Sequence, residues 1–327
     1  MIGIIISLAA SVEAASYWHY LVPAAILVFV GAVDDRRSIG ASARLAVQIC
    51  AALIMMFGGD LYLHDIGDPF GRGILGLGHM AIPLSVVITL TVINAYNFVD
   101  GIDGLAASMA LIALSAGAIA TGLTAPTAAI AAMACGAILG FLPFNFPSHR
   151  NHRLRAFMGD AGSTLLGFSV VWFTITISQG EARSLSPVAA LWFALMPLAD
   201  FFSCFVRRIA RGKLPLRPGR EHFHHMLMRA GLSGRQVLGV LVGCGVFYAA
   251  VGLIGVGLEL PDWALFGPWI TLLAVQYFII KRLAVLLRHR RWKAAAVVVA
   301  FPARAADAPP ELRRIDGPPP EPDREAA

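Results

Sequence analysis

The sequence predicts an all-α polytopic membrane protein of about ten transmembrane helices, with its polar chemistry gathered at the cytoplasmic face. Three observations carry that class. The chain is 57% hydrophobic and 14% charged, with a mean hydropathy of +0.71, whereas a soluble domain is nearer a quarter charged. Residues 14–33, 80–99, 161–180 and 236–258 contain no Lys, Arg, Asp or Glu, and each matches the ~20 residues that cross a bilayer as a helix. The basic residues are crowded into alternate connections between the apolar runs.

Ten hydrophobic segments follow in order: 2–13, 18–33, 45–59, 80–98, 105–121, 127–146, 163–179, 186–204, 237–257 and 263–280. The first is short. Its twelve residues reach ~18 Å as a helix, against a hydrocarbon core of ~30 Å. Segments 105–121 and 127–146 come from one charge-free run, 104–148, and Gly122, Pro126 and the threonines between them supply the turn. The Gly-rich stretch 60–79, with Asp60, Asp65 and Asp68, reads as a solvated hairpin. Segment 281–300 begins "KRLAVLLRHRRWK" and reads as a helical extension lying on lipid headgroups. The chain thus divides into an integral-membrane domain, 1–300, and a Pro-, Glu-, Arg- and Ala-rich tail, 301–327, expected to be disordered and cytoplasmic. Cys50, Cys135, Cys204 and Cys244 fall within spans without metal-ligand spacing and read as small buried apolar residues.

Charge orients the spans. Connection 34–44 holds Arg36, Arg37 and Arg44; 147–162 holds Arg150, Arg153 and Arg155; 205–236 holds eight cations, and the chain from Lys281 holds ten. The opposite side has only Arg72 and Arg183, so 24 of 26 cations lie on one face. Cationic loops stay in the cytoplasm. The net charge of +6 is therefore a topology signal and a surface for anionic lipid, and no nucleic-acid partner is expected.

The chemistry-bearing motifs share that face. They are "VDDRRSIG" (33–40), "NAYNFVDGIDGLAA" (94–107), "HRNHRLRAFMGDAGS" (149–163) and "RPGREHFHHMLMRAG" (217–231). They bring Asp34, Asp35, Asp100, Asp103 and Asp160 to the side of His222, His224 and His225. Polar groups beside hydrocarbon are expensive, so this convergence needs a reason. Carboxylates suit a hard cation such as Mg²⁺, which binds one or two of them together with substrate phosphates. Arginines suit phosphate oxygens. Together they point to phosphoryl transfer between a lipid phosphate and a water-soluble partner. In "MGDAGS" Asp160 opens a helix whose free N–H groups are expected to face a phosphate; the plainer reading is an Asp or Ser cap. A zinc site at "HFHH" lacks cysteines and has hard carboxylate neighbours.

These motifs, in this order and rough spacing, resemble the polyprenyl-phosphate N-acetylhexosamine-1-phosphate transferases over about residues 30–285. "SPVAALWFALMPLAD" before "HFHH" resembles most the branch using UDP-N-acetylglucosamine and undecaprenyl phosphate. The resemblance implies transfer of N-acetylglucosamine 1-phosphate to undecaprenyl phosphate, with release of UMP, using Mg²⁺ or Mn²⁺. It implies a bacterial inner-membrane enzyme that primes O-antigen, lipopolysaccharide or a related cell-envelope glycan. By motif, Asp160 is the expected metal ligand. Asp34 and Asp35 are expected near the lipid phosphate, as base or as electrostatic and metal support. Asp100, Asp103, Asn97 and Gly104 are expected to line the nucleotide site, and Phe157 to stack on uracil. His222, His224 and His225 are expected to contact the donor's diphosphate or sugar. Asn145 is a further substrate-binding candidate, although its spacing to "FMGD" varies among relatives. Arg207 and Arg208 read equally as diphosphate ligands or as plain cytoplasmic anchors. Asp200 has no role by motif and carries the caution due to any intramembrane acid.

The same reaction type with another UDP-N-acetylhexosamine donor is the alternative within the family, and two other classes compete. An ion-coupled transporter would hold its acids near the midplane on broken helices, whereas these acids lie at one face. A catalytically dead lipid-binding relative is disfavoured by Asp34, Asp35, Asp160 and "HFHH". The resemblance also implies a basic loop and a further span upstream of Met1. The chain as written is accordingly expected to be truncated at its N-terminus and to insert poorly or be nearly inactive.

Overall fold

The computed structural model describes the backbone of residues 17–122, 126–146, 155–179, 183–212 and 222–300. Side chains are described for these residues except 126–127 and 288–300. The predicted first segment, 2–13, and the tail, 301–327, lie outside the described residues.

The described chain is helical: α1 (Trp18–Asp34), α2 (Ala41–Gly59), α3 (Ala81–Val99), α4 (Leu105–Ala120), α5 (Pro126–Asn145), α6 (Gly159–Ser178), α7 (Pro187–Leu191), α8 (Leu195–Ile209), α9 (Phe223–Arg229), α10 (Gly234–Gly257) and α11 (Asp262–Ala300). Six helical stretches among the described residues are long and apolar enough to cross a membrane: Ala41–Gly59, Gly78–Val99, Ala128–Asn145, Gly159–Ser178, Gly234–Gly257 and Asp262–Leu287. Helices α1 and α4 are apolar but shorter. The chain divides into two units, Met1–Arg282 and Leu283–Ala327; the described part of the second is helical through Ala300.

Helix α6 is the centre of the first unit. It packs against α1, α3, α4, α5 and α7, and its residues from Gly162 to Phe173 are all buried. Without water to drive helices together, membrane helices associate by close packing of small residues. Two such contacts hold α6. A Cβ on Gly31 of α1 would lie 2.4 Å from Ala161 Cα, and a Cβ on Gly167 would lie 2.7 Å from Ile93 Cα of α3. Backbone therefore meets backbone on both sides of α6.

Three expectations are corrected. The single span 186–204 is two helices, α7 and α8, joined by residues 192–194. Pro197 favours the break: its ring clashes with the carbonyl four residues back and it donates no hydrogen bond, so a proline sits most easily in a helix's first turn, although Pro23 and Pro143 are carried inside α1 and α5. It stands at the third position of α8, while Ser186, whose Oγ accepts the Ala189 N–H, and Pro187 open α7. Second, only Cys204 of the four cysteines is buried; Cys135 and Cys244 are half-buried and Cys50 is exposed. Third, the stretch 60–79 does pair as a hairpin around Asp65 and Gly76, but it is not wholly solvated, because Phe70 packs edge-on against Phe266 of α11.

Helix α8 turns several polar side chains inward, among buried apolar ones, and exposes apolar ones. Asp200, Ser203, Arg207 and Arg208 are buried, while Phe202, Val206 and Ile209 are exposed. Spacings of three and four put each set on one face. The buried Arg207 and Arg208 are not surface anchors.

Candidate active site

Helix ends assemble the site. Asp34 is the last residue of α1, Asp100 directly follows α3, Asp160 is the second residue of α6, and His222 immediately precedes α9. They line one cavity of about 310 Å³, with Arg44, Gln48, Asn94, Asn97, Thr164, His224 and His225. Leu27, Val30, Leu45 and Val47 give its wall an apolar part.

Asp160 is held from three sides. Its Oδ1 accepts from Asn97 Nδ2 at 2.6 Å and its Oδ2 lies 3.4 Å from Arg44 Nη1. Its backbone N–H donates to Asp35 Oδ1 at 2.7 Å, and the Ala161 N–H donates to Asp35 Oδ2 at 3.3 Å. Gly159 makes that approach feasible. Its φ of +66° is one that glycine adopts without strain, and a Cβ there would lie 2.5 Å from Asp35 Oδ2. This corrects the expectation that the start of α6 faces a substrate phosphate: the Asp35 carboxylate already fills that anion site.

Asp34 Oδ1 accepts the Ile39 N–H at 2.6 Å, and its Oδ2 accepts from Arg44 Nη1 at 3.1 Å. One arginine nitrogen thus contacts Asp34 and Asp160, whose carboxyls are also within hydrogen-bonding reach of each other. Carboxylates this close need positive charge or a shared proton between them. Burial first, then the Asp160 and Asp35 charges, push the Asp100 carboxyl up to about 7. Among the described residues no three His, Cys, Asp or Glu side chains form a ready-made metal cage. The donors present nevertheless fit a hard cation that takes one or two carboxylates and completes its shell with phosphate oxygens.

The histidines line the same cavity. His222 and His224 stack at 5.8 Å with an interplanar angle of 8°, and His224 and His225 centroids are 4.1 Å apart. His222 Nδ1 lies 3.0 Å from Asp200 Oδ2, and Asp200 Oδ1 accepts the Phe223 N–H at 2.7 Å. Burial drives the His224 imidazole down to about 4; His225 and His222 push the same way and Asp200 opposes them.

The remaining candidates form a second cluster that does not line the cavity. Asp103 pairs with Arg155. Phe157 is 76% exposed, with the Arg155 guanidinium 5.5 Å from its ring centroid. Asn145 is 2% exposed. Its Oδ1 accepts the Gly104 N–H at 2.7 Å and its Nδ2 donates to Ala156 O at 2.9 Å. Both ends of that amide are spent on backbone, so Asn145 braces the loops instead of presenting a free group.

Motif reading missed three polar residues of the cavity: Arg44, Gln48 and Thr164. Arg44 and Gln48 stand four apart on α2, which begins at Ala41, and a polar pair at that spacing was the available signal. Asn94 donates to Gln48 Oε1 at 2.8 Å.

The family model described as glycosyl transferase family 4 matches residues 17–178. The chain is similar to a protein of Escherichia coli O157:H7 named undecaprenyl-phosphate alpha-N-acetylglucosaminyl 1-phosphate transferase, 34% identical over 80% of this chain and 72% of that one. Proteins with the same name from Yersinia pestis and Haemophilus influenzae are 34% and 32% identical, over 87% and 76% of this chain and 76% and 70% of their own lengths.

Proposed function

The chain belongs to glycosyl transferase family 4, and on that premise we propose that it transfers N-acetylglucosamine 1-phosphate from UDP-N-acetylglucosamine to undecaprenyl phosphate. The products are undecaprenyl-diphosphate N-acetylglucosamine and UMP. The observation that carries this reading is the meeting of Asp34, Asp100, Asp160, Arg44 and three histidines in one cavity with an apolar wall. Acids placed at helix ends suit a substrate headgroup at the membrane surface and speak against an ion path at the midplane. The crowding of cations into the same connections supports a cytoplasmic orientation at the bacterial inner membrane.

An oxygen of the lipid phosphate attacks the donor phosphorus that bears the sugar, and the bridging P–O bond to UMP breaks. The acceptor oxygen is already anionic, so it needs positioning more than deprotonation. This favours direct attack over a covalent phospho-aspartate. Arg44 faces phosphate oxygens, where a guanidinium forms bidentate bonds. Asn97 keeps the Asp160 carboxylate turned into the cavity. The histidines face the donor's diphosphate or sugar. Asp103, Gly104 and Phe157 serve the nucleotide, Phe157 as a stacking surface for uracil. Asp160, with Asp34 beside it, would hold Mg²⁺ or Mn²⁺, which supplies positive charge to a pyrophosphate under attack. The product's class suits the start of a lipid-linked envelope glycan such as O-antigen.

The test is transfer of labelled N-acetylglucosamine phosphate to undecaprenyl phosphate in detergent, with UMP release measured. Equal amounts of lipid product and UMP are expected. Release of UDP, or no lipid product with active control enzyme in the same lipid, would overturn the reading.

A further inference from the structure

We propose that Asp200 is a positioning residue for this reaction: it fixes the proton of His222 on Nδ1 and turns Nε2 to the cavity. The inference rests on the transferase reading for its kinetic part, but its structural part stands alone. Asp200 is 2% exposed, on the inward face of α8. Burying an acid within apolar helices is expensive, and such residues are paired and functional. Both oxygens of Asp200 reach one short segment. Oδ1 accepts the Phe223 N–H at 2.7 Å, and Oδ2 lies 3.0 Å from His222 Nδ1.

That pair of contacts selects a tautomer. An ionised carboxylate can only accept, so the hydrogen between Asp200 and His222 belongs to Nδ1. The ring then carries its lone pair on Nε2, and His222 lines the same cavity as Asp34 and Asp160. The ring plane is fixed too. Phe98 lies 5.0 Å away on one side and His224 stacks at 5.8 Å on another. A carboxylate behind an imidazole fixes which ring nitrogen carries the hydrogen and which way the ring faces. Nε2 is thereby presented as an acceptor, and on taking up a proton from solvent it donates to a phosphoryl oxygen. The break between α7 and α8 allows the arrangement, because it starts α8 afresh at Leu195 and brings its inward face to the histidine segment.

The test combines spectroscopy with kinetics. In detergent-solubilised protein carrying ¹⁵N-histidine, with His222→Gln used for assignment, the His222 signals should report hydrogen on Nδ1. Hydrogen on Nε2 in the unsubstituted protein would overturn the proposal, whatever any variant does. Asp200→Asn keeps an oxygen for the Phe223 N–H and offers an NH₂ group to Nδ1, so the hydrogen should move to Nε2. Its kcat should fall about 100-fold, with both KM values changed far less. The double variant Asp200→Asn/His222→Gln should be no slower than His222→Gln alone, because the two residues act as one unit. Multiplying losses, or an unchanged kcat in Asp200→Asn, would overturn the proposal. A purely structural Asp200 would lower thermal stability and leave the tautomer and the kcat of folded protein unchanged. Absence of transfer by the unsubstituted protein would refute the transferase reading and leave the tautomer result standing.

Discussion

Asp35 Oδ1 accepts the backbone N–H of Asp160 at 2.7 Å, so the second carboxylate of the Asp34–Asp35 pair closes the helix that carries the third. Adjacent aspartates thus have unlike partners. Asp34 meets Arg44 and the cavity, whereas Asp35 meets the backbone of α6. Removing a helix-capping side chain costs about 0.5–2 kcal/mol. Asp35→Ala should lower stability by that amount and displace Asp160, reducing turnover with it. Asp35→Asn, which keeps one oxygen, should lose less stability. Thermal unfolding in detergent measures both, and equal stability of Asp35→Ala and unsubstituted protein would remove the cap.

Asp160→Asn preserves shape and removes the negative oxygens. Turnover should fall about 100- to 1000-fold or more. Thermal stabilisation by added Mg²⁺ should disappear in the same variant, a readout independent of catalysis. Near-normal turnover in Mg²⁺ would withdraw Asp160 from the reaction.

Asn145→Ala strands the buried Gly104 N–H and leaves the half-buried Ala156 carbonyl without its donor. An unsatisfied buried group costs about 1–3 kcal/mol, so the melting temperature should drop. The loops carrying Asp103 and Phe157 should loosen together. The donor KM should therefore rise while the acceptor KM stays near its usual value. A rise in the acceptor KM alone would contradict this bracing role.

His224 gives stability a pH dependence of known sign. Its imidazole protonates near 6.5 when unfolded and near 4 when folded. Between those values the unfolded chain binds more protons, so stability falls as pH drops through the window. Each pH unit crossed there costs about 1.4 kcal/mol, and the loss approaches roughly 3 kcal/mol at the lower end. His224→Gln should flatten the melting-temperature profile between pH 6.5 and 4. An unchanged slope would assign the dependence to other groups. Above about pH 7 the two proteins should show parallel profiles.

Much of this was legible in the sequence because membrane helices announce themselves. The charge-free runs gave α1, α3, α4, α6 and α10 within a few residues, since lipid demands continuous apolar length. The motifs likewise placed Asp34, Asn97, Asp100, Asp160 and the histidines on one cavity. What stayed hidden depends on pairing in space. Asp200 looked like a stray acid because its partner, His222, lies 22 residues on. Arg44 looked like a topology charge because its two carboxylates come from separate helices. Asn145 looked like a ligand because a motif records an amide and not which backbone groups consume it. The break at 192–194 was masked by an unbroken apolar composition, although Pro197 stood in view.

The backbone contacts at Gly31 and Gly167 bind α1, α3 and α6 into one rigid trio carrying Asp34, Asn97 and Asp160. A bilayer thicker or thinner than the apolar length of a protein forces its helices to tilt. Helices in contact through side chains can slide as they tilt, but these three must tilt together, because at Gly31 and Gly167 no side chain lies between them to give way. The spacing of the carboxylates is thereby uncoupled from membrane thickness. Reconstituted into bilayers of increasing acyl-chain length, the protein should keep a nearly constant turnover at saturating substrates. Gly31→Val, which wedges α1 from α6, should make turnover depend on chain length.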